Sequence, residues 1–233
     1  MVATLAVTGP ADCAGRSDVM RLVARRSTRI QFEDVAAGPA LPAEVQTVRD
    51  YVAWAKANPK NAFFADTSPG GTPHFVGVML SQASGVKLTP VHYKGGAPAL
   101  QDLVGGQVPV SINPLSELLP QLQTGKVRVL AVTSPQRSKF LPDVPTMSES
   151  GFASIAFSSW LGFFAPARTP PDAVKRLANG IADASAWGDT QQSILKFAME
   201  PVAMTPVGFA AQLKADLERW KPIVRASGFT ADD

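Results

Sequence analysis

Three short stretches place glycine, proline and small hydroxyl residues between an apolar run and an amphipathic one: "TSPGGTPH" at 67–74, "YKGGAP" at 93–98 and "INPLS" at 112–116. Each reads as the turn that hands a strand over to a helix. A helix start carries backbone N–H groups with no partner inside the helix, and it is the positive end of the helix dipole. Such a turn therefore suits a carboxylate or another anion without any Arg or Lys. Ser68 and Thr72 add hydroxyls and Tyr93 a phenol, while Gly70, Gly71, Gly95 and Gly96 let ligand atoms approach bare backbone. The alternative stays open at this point: ordinary α/β turns carry the same caps and glycines with no ligand.

Arrangements for covalent chemistry are missing. There is no G-x-S-x-G elbow, no G-x-x-x-x-G-K-[ST] loop, no G-x-G-x-x-G and no H-E-x-x-H. Cys13 is the single cysteine, so no internal disulfide can form, and with His74 and His92 the only histidines no zinc site built on His and Cys is expected. The chain reads as having no catalytic residue, no metal site and no cofactor. Its 22 Lys and Arg against 19 Asp and Glu leave a charge of +3, too small and scattered to argue for nucleic acid. The densest basic run, Arg21 to Arg29, is expected on a solvated helix face.

The elements that must position these turns follow from periodicity. The 233 residues, 45% apolar and 18% charged, have the balance of an ordinary globular protein. "TVRDYVAWAKANP" sets Val48, Val52 and Ala55 on one helical face and stops at Asn58-Pro59. "NAFFAD", "KLTPVHY", "VPVSI" and "VRVLAVT" read as strands, with helices between them ending at Gly85, Gly105-Gly106 and Gly125. Thr72 is expected to cap one helix with Pro73 at its first position, and Asn113 another with Pro114. This alternation predicts a parallel-sheet α/β domain of about 100 residues. "SPQRSKFLPDVPTMSESG" then reads as a connector and "FSSWLGFFAPA" as one apolar strand. In the last helix Phe209, Leu213, Leu217 and Trp220 form a core stripe. Residues 1–35 fit no element. The C-terminal segment has too few strands for its own sheet, so either residues 1–35 supply the rest or part of a domain is absent.

Several motifs occur together in one order: "VHYKGGAPAL" (91–100), "GGQV" (105–108), "GKVRVLAVT" (125–133), "LPDVPT" (141–146), "WLGFFAPARTP" (160–170) and a closing helix running from Trp220 to Gly228. From about Pro39 to its end the chain resembles the Bug family, the extracytoplasmic solute receptors of tripartite tricarboxylate transporters. The resemblance implies a periplasmic-binding-protein-like fold: two α/β domains with a cleft, of which the chain supplies one parallel-sheet domain and the C-terminal portion of the second. The expected boundaries are an atypical segment at 1–35, the ligand-binding domain at 36–143 and a returning segment at 144–233. The implied ligand is a di- or tricarboxylate, an acidic amino acid or an aromatic acid, and the implied partners are membrane transporter subunits. Ser68, Gly70, Gly71, Thr72 and His74 fall on the family's ligand loop, Tyr93, Gly95, Gly96 and Ala97 on its Y-K-G turn, and Asn113 at the head of a helix.

The family's opening domain carries a P-F-x-x-G-G-x-x-D loop that this sequence lacks, so the chain is expected to be missing the start of that domain. The family implies a periplasmic location, whereas "MVATLAVTGPADCAGRSD" lacks the charged start and apolar core of a secretory signal. A second expectation follows from the incomplete domain: the apolar "FSSWLGFFA" strand covered by self-association.

Overall fold

The structure, a computed structural model, describes residues 20–22, 28–31, 33–166, 168–202 and 204–230. The opening stretch with Cys13 lies outside the described residues. In chain order the elements are β1 (Met20–Leu22), β2 (Thr28–Gln31), β3 (Glu33–Ala37), α1 (Val48–Ala57), β4 (Phe63–Asp66), α2 (Thr72–Ser84), β5 (Thr89–His92), α3 (Gly96–Val104), β6 (Val110–Pro114), α4 (Leu115–Leu122) and β7 (Arg128–Val132). They continue with β8 (Ser159–Leu161), β9 (Phe164–Pro166), α5 (Pro171–Ala186), α6 (Gly188–Lys196), β10 (Glu200–Val202) and α7 (Pro206–Ser227). Two compact units result, Phe32–Ser159 and Met1–Gln31 with Trp160–Asp233.

The first unit is a five-stranded sheet in the order β5-β4-β6-β3-β7. β4 pairs in parallel with both β5 and β6, as the strand–helix alternation requires. β3 does not follow that pattern. It pairs antiparallel with β6 and with β7, so it lies inside the sheet and separates those two strands. Val35, Ala36 and Ala37 are wholly buried, as an interior strand covered on both faces demands. α1 opens with a capping box: Thr47 Oγ1 accepts from the Asp50 amide at 3.1 Å and Asp50 Oδ2 accepts from the Thr47 amide at 2.9 Å. It buries Val48, Tyr51 and Ala55 and ends at Asn58.

Two expected caps shift by one residue. α2 is capped by Gly71, with Thr72 already its first helical residue, and α4 is capped by Pro114, with Asn113 still in β6. Pro73 occupies an early helical position, so it costs α2 no internal hydrogen bond. The stops of α2 and α3 are as expected, while α4 ends earlier than Gly125, at Leu122 with Gln123 as its cap. Gly85 and Gly125 take left-handed conformations, and of the pair after α3 Gly106 does so rather than Gly105. The connector is more than a spacer. The amide of Val132 donates to the Pro145 carbonyl at 3.0 Å and that of Met147 to the Val132 carbonyl at 2.9 Å, which occupies the outer side of β7.

In the second unit, β1 pairs antiparallel with β9, and β10 pairs antiparallel with β2 in a sheet ordered β10-β2-β8. Residues before position 32 thus supply strand partners for the C-terminal segment. Arg21 and Arg29, expected on a helix, lie on β1 and β2 instead. "FSSWLGFFAPA" is two strands in different sheets, broken at Gly162. A Cβ there would run into the Phe209 ring. Trp160 meets that ring edge-on at 4.7 Å and Phe164 lies 5.6 Å from it, so this apolar run packs on α7 within its own unit rather than waiting for a second copy. Of the α7 stripe, Phe209 and Trp220 are buried.

Close packing at one glycine generates a test. Gly77 lies in α2 against the ring of buried Phe64, and a Cβ at 77 would overlap it. Gly→Ala inside a helix ordinarily stabilises by about 1 kcal/mol. Here the overlap should outweigh that gain, since overpacking costs about 1–3 kcal/mol. Gly77→Ala is expected to lower the denaturation midpoint, and combining it with Phe64→Leu to lose less than the two singles added together. A Gly77→Ala chain as stable as the parent would contradict this packing.

Candidate functional site

Because β4, β5 and β6 run parallel, their carboxyl ends share one edge of the sheet, and each leads into a helix there. The loop after β4 is held tightly. Ser68 and Gly71 close a turn in which the Gly71 amide donates to the Ser68 carbonyl at 2.7 Å. Pro69 and Gly70 are its central residues, and Gly70 takes φ +71°, as the third position of a type II turn requires. The Ser68 amide donates to Asp66 Oδ1 at 2.9 Å. Across the edge, the Tyr93 amide donates to the Asp66 carbonyl at 2.8 Å and the Gly95 amide to the Thr67 carbonyl at 3.1 Å. Gly95 reaches that carbonyl with φ +103°, a conformation that a side chain would resist.

These bonds decide which amides remain for a ligand. Those of Gly71 and Gly95 are committed to the loop itself. α2, α3 and α4 have no side-chain cap, so their first-turn amides, beginning with Thr72, Gly96 and Leu115, are not closed by a local hydroxyl or carboxylate.

The other expected residues are placed as follows. Asn113 is fully buried; its amide nitrogen donates to Glu117 Oε2 at 3.0 Å and its Oδ1 accepts from the Ser111 hydroxyl. Tyr93 turns its phenol to Asp102 Oδ2 at 2.8 Å, and desolvation followed by that acceptor pushes it up to about 12. Gly96 sits beneath the Glu117 carboxylate, which a Cβ would have to push aside, so the missing side chain leaves Glu117 its place before any ligand is considered. Ala97 is exposed. His74 is buried and its Nδ1 lies 3.0 Å from Asp66 Oδ2. His92, which the sequence did not single out, brings its Nδ1 to 2.8 Å from the same oxygen.

A further pair went unforeseen. Since β3 runs antiparallel to its neighbours, its first residues lie at the edge where theirs end: Glu33 faces Pro114, and Asp34 faces Asn113 and Val132. Glu33 exchanges backbone bonds with Thr133, donating to Oγ1 at 3.2 Å and accepting from the amide at 3.1 Å. Its Oε1 accepts from Ser159 Oγ at 3.4 Å, while Oε2 and both Asp34 carboxylate oxygens are buried without a hydrogen-bond partner. Burial first, then the Glu117 charge, raises Glu33 from 4.5 to about 8, and burial with Glu33 holds Asp34 well above the carboxylate range. Glu33 therefore keeps its proton at neutral pH, and Asp34 is pushed in the same direction. The signal was the acidic pair of "FEDVAA" standing directly before an apolar run.

The family described as the tripartite tricarboxylate transporter family receptor matches residues 32–229. The BugT protein of Bordetella pertussis is 30% identical over 76% of this chain and 54% of its own length. Among solved structures, a protein of R. palustris with adipate superposes with TM-score 0.81 at 28% identity, covering 90% of this chain and 69% of that one. A structure described as a periplasmic transporter does so with TM-score 0.84 at 27% identity, covering 96% and 76%. The chain spans about half the length of the curated relatives it matches. Among the described residues no helix is long and apolar enough to cross a membrane.

The buried acids give a pH dependence whose sign is fixed. Glu33 holds its proton in the folded state up to about pH 8 and loses it near 4.5 when unfolded, so stability is full below 4.5 and falls as the pH climbs from there to 8. Denaturant melts at pH 5 and pH 8 should show a loss for the native chain that Glu33→Gln reduces by a few kcal/mol, on the order of one kcal/mol per pH unit. A residual slope from Asp34 is expected. Parallel losses in both proteins would overturn this assignment.

Proposed function

Because the chain belongs to the tripartite tricarboxylate transporter receptor family, we propose that it captures a small carboxylate in the periplasm and presents it to the membrane subunits of such a transporter. The ligand class is a dicarboxylate or tricarboxylate, an acidic amino acid or an aromatic acid. The observation that carries the reading is the set of three helices, α2, α3 and α4, that open on one sheet edge with no side-chain cap. Their amides supply donors and their dipoles favour negative charge, which a carboxylate needs and a cation does not. The relative solved with adipate adds support from a molecule of the same class.

Ser68, Gly70, Thr72 and Gly96 form the contact surface in this reading, through backbone and hydroxyl groups, with Ala97 beside them and Gly71 holding the loop. Gly95, Tyr93, Asn113 and His74 shape it, since their polar groups are engaged with Thr67, Asp102, Glu117 and Asp66. Four acidic side chains near the edge, Glu33, Asp34, Asp66 and Glu117, would repel an anion if all were charged. The raised value of Glu33 removes one of those charges at neutral pH, burial disfavours the charge on Asp34, and two imidazoles face Asp66.

A thermal melt with and without ligand tests this. A ligand at a hundred times its dissociation constant stabilises by about 2.7 kcal/mol. Adipate, a tricarboxylate or an aromatic acid should raise the melting temperature, and dimethyl adipate, with the same chain but no charge, should not. The shift should shrink above pH 8, where Glu33 ionises, and Glu33→Gln should retain it. Equal shifts from acid and diester, or none from any acid, would refute the proposal.

A further inference from the structure

Asp66, His74 and His92 come from three separate places, the end of β4, the first turn of α2 and the end of β5, and converge on one point. Asp66 Oδ2 lies 3.0 Å from His74 Nδ1 and 2.8 Å from His92 Nδ1. The three potential donor atoms lie within 4.8 Å of one another. The two imidazoles stack with centroids 5.4 Å apart and planes 7° from parallel, so both present the same nitrogen to the same oxygen. We propose that these three side chains form a binding site for a borderline divalent transition metal of the zinc type.

The donor set chooses the metal class. Two imidazole nitrogens with one carboxylate oxygen suit Zn2+, Co2+ and Ni2+, whereas Mg2+ and Ca2+ prefer all-oxygen shells. Zinc bonds of about 2.0–2.2 Å to such ligands place tetrahedral donors about 3.3 Å apart. The two oxygen–nitrogen distances need to lengthen by only a few tenths of an ångström to admit the ion, and the two nitrogens lie within 4.8 Å of each other. Hydrogen bonds from the two rings to Asp66 satisfy the cluster without a metal, so the ion would replace ring protons rather than fill a void.

The supporting shell is already built. Asp66 is wholly buried, and its other carboxylate oxygen accepts the Ser68 amide at 2.9 Å, which turns Oδ2 toward the rings. Its carbonyl accepts the Tyr93 amide, which ties β5 and therefore His92 to β4. The His92 side chain is 47% exposed, which leaves a path for the ion and room for water or an oxygen ligand as the fourth donor. Counting His and Cys in the sequence gives no hint of this site, because its third donor is a carboxylate. The proposal stands independently of the carboxylate-receptor reading.

The test is calorimetric titration of the chelator-treated full chain with Zn2+, repeated with Co2+ followed by absorption and with Mg2+. One equivalent of Zn2+ should bind, Co2+ should give the intense visible bands of a low-coordinate nitrogen–oxygen site, and Mg2+ should not bind. His92→Ala, at an exposed side chain, should keep the parent's fold and weaken Zn2+ at least about tenfold. His92→Gln serves as a second variant with the same expectation. Failure of the parent to take up Zn2+, uptake undiminished in both variants, or Mg2+ binding as tight as Zn2+ would each overturn the site.

Discussion

The placement of β3 governs the rest of the structure. A strand inside a sheet must have both of its backbone edges hydrogen-bonded, and β3 meets this by pairing with β6 on one side and β7 on the other. Antiparallel pairing in an otherwise parallel sheet has one consequence for chemistry: the first residues of β3 arrive where the neighbouring strands end. Glu33 and Asp34 are thereby buried at the carboxyl edge, with Glu33 opposite Pro114, the residue that caps α4. Burial disfavours the charged form of both. An edge that would otherwise be strongly acidic can then receive an anion.

Backbone bonds settle the division of labour at that edge. The amides of Gly71 and Gly95 close the loops, the Asn113 side chain donates to Glu117, and the Tyr93 phenol donates to Asp102. The glycines accordingly serve different ends: Gly70 and Gly95 provide left-handed backbone, and Gly96 makes room for Glu117. What remains without a side-chain cap is the first turn of each helix, a set of donors fixed in position by the sheet.

Most of the first unit was legible in the sequence, because β4 to β7 and their helices are apolar runs of one period punctuated by Gly and Pro. The motifs around "YKGGAP" and "LPDVPT" also pointed to the right family. β3 was not legible: five residues, two of them acidic, carry no alternation when both faces are buried. Strand partners 100 or more residues apart, such as β1 with β9, leave no local trace either. Cap positions slipped by one because Pro114 and Gly71 satisfy the local geometry without a side-chain oxygen. The Asp66 cluster was invisible because its three members are joined by sheet pairing, not by spacing.

The central claim is that backbone amides at the starts of α2, α3 and α4 hold a carboxylate. Two-dimensional 1H–15N NMR of the chain during titration with adipate tests it most directly. Saturable shifts are expected, largest at the amides of Thr72, Gly96, Ala97 and Leu115, with small changes in α5 and α7. Saturable shifts concentrated away from those first turns, or none with adipate, a tricarboxylate and an aromatic acid alike, would contradict it.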